Sequence, residues 1–379
     1  MERTEQNKQQ TLTVSFAALE PSIERTILTP EERTYPGRDW VSWGTRNSFP
    51  AYLVDLVDNV ATLRTIVLGL ADYVLGNGAT VTSGPFVGGK VNRKGLTVRK
   101  LVLDAAESLG TFGGFAWELI PSNNGELLEL YPLKLQHLRT NKEQDVFYYS
   151  EKWGDTRTQP LVRGRWTGSF ARDKEGAFKP AVLYVQQWGE GVYPVPLYAA
   201  ALKACETERG IDEFHLGNIE RGFMGSYIIN FNNGAPATDE IKRQIERDFT
   251  RKFSGSSNAG RVMFSWNDNK DVATTLQKME VSDYADKYNT LAKNCERRIF
   301  TSFRANPNLF GIPTESNGFN SEEYESAFKL FNRTIVAPLQ DAIVEAWGEA
   351  TGGELTITPF TLDGADTAAA TGAQGENIE

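Results

Sequence analysis

Apolar residues fall at helical spacing in several long stretches and alternate at strand spacing between them. Leu53, Leu56, Val57, Val60, Leu63, Val67, Leu70 and Val74 lie three or four apart, which predicts one helix over Ala51 to Leu75. Pro50 suits its first turn and Gly76-Asn-Gly78 its stop. A second helix is expected from about Leu96 to Leu109. Strands follow: Phe112 to Pro121 and Glu126 to Leu135 flank Ser122-Asn-Asn-Gly125, a hairpin turn signal. Val146 to Trp153, Gln159 to Trp166 and Phe178 to Trp188 read as further strands, and Thr11 to Phe16 as one more in an otherwise irregular N-terminal stretch. The first half is therefore α+β.

Three long helices organise the second half. The first starts at Pro196 and runs to about Gly222. The second, about Val281 to Phe303, carries Tyr284, Tyr288, Leu291, Cys295 and Ile299 on one stripe. The third opens where Asn320 caps and Glu323 reaches back, and its stripe runs from Tyr324 through Phe328, Phe331, Ile335, Leu339 and Ile343 to Trp347. Pro338 inside it predicts a kink. Between the first two helices sits a strand (Tyr227 to Phe231), an amphipathic helix (Ile241, Ile245, Phe249, Phe253) and a strand (Arg261 to Trp266). After Phe360 apolar residues thin out and a mobile tail is expected.

The helix from Pro196 is about 25 residues long, roughly 40 Å at about 1.5 Å per residue. Ala200, Ala201, Ala204 and Cys205 share it with Glu206, Glu208, Arg209, Asp212 and Glu213. Such a face reads as too small for a core and too apolar for solvent, which suggests copies packing side by side around an axis.

Composition changes this picture in two ways. The 379 residues suffice for two or three domains. The net charge is −9, so tight nucleic-acid binding through the overall field is not expected, although surrounding DNA without gripping it is. The polar start MERTEQNKQQ lacks a signal-peptide core. The most apolar long window, Leu63 to Leu75, falls short of the ~20 apolar residues of a membrane span. Cys205 and Cys295 read as buried hydrophobes in a reducing compartment.

Catalytic chemistry is only nearly present. Gly84-Pro-Phe-Val-Gly88-Gly89-Lys90-Val91 resembles a phosphate loop, but Val91 has no hydroxyl for magnesium and no helix starts at the lysine. His137 and His215 are the only histidines, and no Cys-x-x-Cys occurs. Cys205 and His215 stand roughly 15 Å apart along one helix, and the acid pairs Asp212-Glu213 and Glu322-Glu323 are adjacent, so neither pair faces itself. No enzyme, cofactor or metal is expected.

Four signatures, in order, suggest a family: Trp43-Gly-Thr-Arg-Asn47-Ser-Phe49-Pro50; Gly113-Gly-Phe115-Ala-Trp117-Glu118, with His137-Leu-Arg139 closing its hairpin; Tyr193-Pro-Val-Pro196-Leu-Tyr198; and Pro307-Asn-Leu-Phe-Gly311-Ile-Pro313, ahead of Glu322-Glu323 and Ile335-Val-Ala-Pro338. The chain resembles the portal proteins of tailed bacteriophages, the ring at one capsid vertex through which DNA enters and leaves, and among them those of phages of Bacteroides-like hosts.

The resemblance implies a portal fold. Residues 1–192 would form an α+β wing, 193–222 the first stem helix, 223–280 a small α/β clip and 281–305 the second stem helix. Residues 306–320 would hold the tunnel loop, 321–350 the kinked helix behind it, and 351–379 a short crown or mobile tail. It implies a dodecamer in the virion, assembled in the host cytoplasm. Its partners would be the terminase large subunit, the major capsid protein and head-completion proteins, with double-stranded DNA passing through and no membrane involved. Tunnel-loop candidates are Asn306, Pro307, Thr314, Glu315, Ser316, Asn317, Gly318 and Phe319. Stem lumen candidates are Glu206, Asp212, Glu213 and Glu220, and clip partner-binding candidates are Lys242, Arg243, Arg247 and Arg251. Another head–tail adaptor ring and a nucleic-acid-processing enzyme are the alternatives; the first is usually shorter and lacks the wing, and the second would need a carboxylate or metal cluster.

Overall fold

Capping and turn chemistry set the element ends. The computed structural model describes residues 29–153, 159–220, 227–231, 238–241, 243–245, 247, 262–266, 284–312 and 321–361. The strand expected at Thr11 to Phe16 and the C-terminal tail lie outside the described residues. The chain divides into two compact units, Ile27–Arg209 with Ala292–Glu379, and Met1–Thr26 with Gly210–Leu291.

In the larger unit, β1 (Glu32–Thr34) pairs antiparallel with β2 (Val41–Trp43). Helices α1 (Phe49–Asn59) and α2 (Ala61–Leu75) follow. The sequence predicts one helix here, and the structure breaks it at Val60, which is extended (φ −113°, ψ 109°) and buried. The break is stabilised from far along the chain: Glu208 Oε1 accepts from the Thr62 N–H at 3.1 Å, satisfying one of the orphan donors of α2. Strand β3 (Gly78–Val81) leads to α3 (Val98–Phe112), whose N-cap Thr97 accepts from the Lys100 N–H. Gly113 ends α3 in the left-handed region (φ 86°), and a β-carbon there would sit 2.6 Å from the Val195 carbonyl oxygen. Only glycine meets both demands.

A six-stranded sheet holds β4 (Gly114–Pro121), β5 (Leu127–Leu133), β6 (Leu138–Thr140), β7 (Val146–Tyr149), β8 (Leu161–Arg165) and β9 (Ala181–Gln186), in the order β5-β4-β9-β8-β7-β6. Only β8–β9 is parallel. The Ser122–Gly125 turn joins β4 to β5, as the sequence predicts. The second half returns to this unit through α5 (Tyr284–Ser302), α6 (Ser321–Phe331), α7 (Ala337–Thr351) and β12 (Leu355–Thr358), which pairs antiparallel with β3. Where Pro338 predicts a kink, the chain widens into a π-helical turn at Asn332–Val336. A wider turn shifts the carbonyl that the proline ring would meet, so helix continues on both sides. Trp347 on α7 meets Trp117 on β4 edge-on at 6.5 Å, and both are fully buried.

In the smaller unit, β10 (Tyr227–Phe231) pairs with β11 (Val262–Trp266) in parallel. Helical positions at 239–241, 243–245 and 247 lie between them in sequence, and a parallel pair needs such a crossover. The unit also includes the end of α4 (Leu202–Glu220) and the start of α5, where the Phe214 ring lies 4.9 Å from that of Tyr288.

Candidate functional site

Three of the four sequence signatures interlock within the larger unit. Tyr193 stacks on Trp43 with centroids 4.6 Å apart and planes 3° from parallel. Its hydroxyl donates to the Val41 carbonyl and accepts from the Thr140 N–H at 3.1 Å. Arg139 donates from Nε to Asn47 Oδ1 and from Nη2 to the Asn47 carbonyl. Tyr198 donates to the Thr111 carbonyl at 2.9 Å and stacks on Phe303. Residues far apart in sequence thus fix how the chain enters α4.

A short 3-10 turn (Leu197–Ala201) precedes α4. The small-residue face expected between copies is covered inside the subunit at Ala201, Ala204 and Cys205. These residues share one core with Cys295 and Ile299 of α5, so small side chains here serve close packing of the subunit itself; Ala200 alone of the four stays exposed. Burial pushes the Cys205 thiol up to about 12, and the Cys295 thiol rises for the same reason. Neither is a ready nucleophile. Further along α4 the pattern inverts: Phe214, Leu216 and Ile219 are exposed, Ile219 by 61%, and Leu291 of α5 is exposed as well. The sequence reading missed these residues because they are interspersed with His215, Gly217 and Asn218 and flanked by Asp212, Glu213 and Glu220.

The four acids proposed for a lumen part company. Glu206 is 8% exposed and pairs with Arg209 Nη2 at 3.0 Å; the other end of Arg209 reaches Asp55 on α1. Burial, and then the Glu206 charge, push the Tyr52 hydroxyl well above its ordinary range. Glu206 is therefore a buried strut of the subunit, which corrects its expected place on a solvent-facing wall. Asp212 and Glu213 are exposed, and the side chain of Glu220 lies outside what is described.

Asn306 and Pro307 form the base of the expected loop. Asn306 Oδ1 accepts from the Asn308 N–H at 3.1 Å and caps a 3-10 turn, Pro307–Phe310. Tyr73 donates to the Leu309 carbonyl at 2.6 Å, fastening this turn to α2. Thr314, Glu315, Ser316, Asn317, Gly318 and Phe319 lie outside the described residues, as do Lys242 and Arg251, while Arg243 and Arg247 are exposed.

The glycine-rich loop at Gly84–Val91 is a clasp. Val91 is fully buried, its N–H donates to the Leu96 carbonyl, and its own carbonyl accepts from the Leu130 N–H. Helix α3 begins seven residues later, at Val98. Among the described residues there is no group of three or more His, Cys, Asp or Glu placed to hold a metal, and no helix is long and apolar enough to cross a membrane.

No protein-family model and no curated protein matches the chain. Solved structures do. A chain in the virion of a native gene transfer agent particle matches with a TM-score of 0.53 at 14% identity, covering 88% of this chain and 87% of that one. A chain in the neck of the native particle, computed with C12 symmetry, matches with a TM-score of 0.52 at 15% identity, covering 82% and 84%. An HK97-family phage portal protein from Corynebacterium diphtheriae aligns over 80% of this chain and 93% of its own at 12% identity, with a TM-score of 0.49. The chain shares the mixed α+β fold of the two particle chains over most of its length.

Proposed function

We propose that this protein is a portal: a closed ring of about twelve copies at one vertex of a virion, the conduit for double-stranded DNA and the docking face for a packaging terminase and then for head-completion proteins. The observation that carries the reading is the fold shared with a chain of a particle neck computed with C12 symmetry, over more than four fifths of each chain. The four sequence signatures support it independently, and residues of the first three contact one another, Tyr193 with Trp43 and Arg139 with Asn47. The host group rests on those motifs alone.

The exposed apolar residues Phe214, Leu216, Ile219 and Leu291 support assembly, because apolar side chains of that size gain by being covered. In a cyclic ring each copy would meet its neighbour through two different faces. On this reading α4 and α5 are the stem, residues 223–280 the clip and residues 306–320 the tunnel-loop segment. Asp212 and Glu213 remain the described stem acids available to a channel wall. A subunit charge of −9, repeated around a ring, disfavours adhesion of phosphate and lets a duplex slide. The chain then has no catalytic step of its own, and ATP hydrolysis belongs to the terminase.

Negative-stain microscopy and native mass spectrometry of the purified chain test this. Rings near twelvefold with a central hole are expected. Monomers at every concentration and salt, or a magnesium-dependent nuclease activity, would overturn it.

A further inference from the structure

Arg139 is a buried cation with no carboxylate partner among the described residues. It is 1% exposed, yet it lines a cleft of about 580 Å³ together with Arg38, Trp40, Arg46, His137, Glu151 and Trp153. Its donors go to neutral acceptors: Asn47 Oδ1, and the carbonyls of Asn47 at 3.0 Å, Gln136 at 3.1 Å and Leu138 at 2.6 Å. A guanidinium has five N–H donors, so one is left over. Among the described residues no carboxylate lies within ion-pair distance of it, and Glu151, on the same cleft, does not pair with it. Burial lowers the Arg139 pKa to about 10, a sign of how poorly its charge is solvated there. Leaving a buried charge uncompensated costs an appreciable part of a protein's whole margin of stability.

The walls add donors and hold back acceptors. Asn47 Oδ1 is occupied by the Trp43 N–H and by Arg139, and Asn47 Nδ2 is buried with no acceptor among the described residues. Arg46 and Asn47 are both left-handed (φ 55° and 61°), which is uncommon for such residues and is kept here by the contacts that turn Asn47 toward Arg139. Arg38 and Arg46 place two more cations at the exposed edge, against one exposed carboxylate, Glu151.

The shape selects among anions. Trp40 and Trp153 pack on each other at 4.7 Å, with Arg38 over the first ring and Arg139 over the second, both at 5.0 Å. The flat faces on which a nucleobase would stack are taken. What fits is a compact anion that takes the one N–H Arg139 has left, and a carboxylate does so. Every subunit presents the same cleft, so a supplier present in equal number suits it, and a chain carrying nine excess negative charges has carboxylates to offer from a second copy.

We propose that this cleft receives an Asp or Glu side chain from a neighbouring copy of the chain, which becomes the counter-ion of Arg139. This rests on the ring reading above and adds to it a specific polar lock between subunits.

The rim tests it without touching the core. In the full chain, Arg38→Glu with Arg46→Glu should raise the subunit concentration for half-assembly at least tenfold at low salt, with the circular dichroism of the subunit unchanged. Equal assembly of the variant and the parent would overturn the lock. A parent that never assembles would instead sink the ring reading itself. A second measurement uses Arg139→Lys in rings mixed from ordinary and nitrogen-15-labelled chains. A zero-length carbodiimide should join the new amine to a carboxylate of the differently labelled copy. A link only to Glu151 of the same chain, or assembly that depends on added phosphate with no link between copies, would overturn the proposal.

Discussion

Phe310 lies against Gly69 so closely that a β-carbon on Gly69 would stand 2.7 Å from its ring. Gly69 sits inside α2, where glycine costs roughly 0.5–1 kcal/mol relative to alanine. The helix bears this because the missing side chain admits the aromatic that anchors the turn at Pro307–Phe310. Phe310 also contacts Tyr73, Phe300 and Phe331, so displacing it loosens the whole base of the 306–320 segment. Gly69→Ala should therefore destabilise the subunit by about 1–3 kcal/mol, the usual cost of overpacking, despite its better helix propensity. Gly348→Ala in α7, where a β-carbon meets nothing within 4 Å, should stabilise by about 0.5–1 kcal/mol. Urea titration of both variants at one fixed subunit concentration checks the pair, since assembly adds stability by mass action. Equal effects of the two substitutions would refute the account.

The Tyr193 hydroxyl is both donor and acceptor in a place water does not reach. Tyr193→Phe keeps the stack on Trp43 but leaves the Thr140 N–H and the Val41 carbonyl without that partner. A loss of about 1–3 kcal/mol is expected. Tyr193→Leu should cost roughly 0.5–1.5 kcal/mol more, because the ring stack goes as well. Thermal unfolding followed by near-ultraviolet circular dichroism reports both. A Phe variant as stable as the parent would show that the hydroxyl contributes nothing.

These particular contacts show why some of the architecture was legible in the sequence and some was not. The β4–β5 hairpin and the stripes of α2 and α7 are local signals, and each appears where its spacing places it. The break at Val60 carries no proline or glycine to announce it; it depends on Glu208, 146 positions away. The alanine face of α4 looked unpartnered because Cys295 and Ile299, which join the same core, come some ninety residues later. Glu206 looked like surface because its surroundings, Tyr52 and the Arg209–Asp55 pair, draw on α1, some 150 residues earlier. The Arg139 cleft was invisible altogether: one arginine in a His-Leu-Arg run gives no hint that segments near 38–47, 136–139 and 151–153 will close around it.

His137 gives the cleft a pH dependence whose sign follows from burial. Burial lowers its pKa, Lys134 and Arg139 push the same way, and Glu151 opposes them. The folded state thus holds fewer protons than the unfolded chain once the pH drops below the ordinary histidine value of about 6.5. Stability from this group is complete above that value, falls as the pH descends from it, and levels off below the folded pKa. His137→Gln should flatten that portion of the stability curve between about pH 7 and 5 while leaving the curve above pH 7 unchanged in slope. Urea midpoints at half-unit pH steps provide the comparison, and an identical slope in parent and variant would exclude His137 as the cause.

Arg209 joins the first turns of α4 to α1 through two carboxylates of different kind. Asp55 is half exposed and in contact with water, so its bond to Arg209 contributes little by itself. Glu206 is buried, and Arg209 is its counter-charge. Arg209→Met should consequently cost about 3–5 kcal/mol, most of it the penalty of a buried carboxylate left alone. Adding Glu206→Gln should recover a large part of that loss, since the amide carries no charge to desolvate, although each substitution removes the same ion pair. A double-mutant cycle of urea unfolding, again at one subunit concentration, separates the possibilities. If the double variant is less stable than Arg209→Met alone, the pair acts through packing of the arginine stem, and the electrostatic assignment of Glu206 fails.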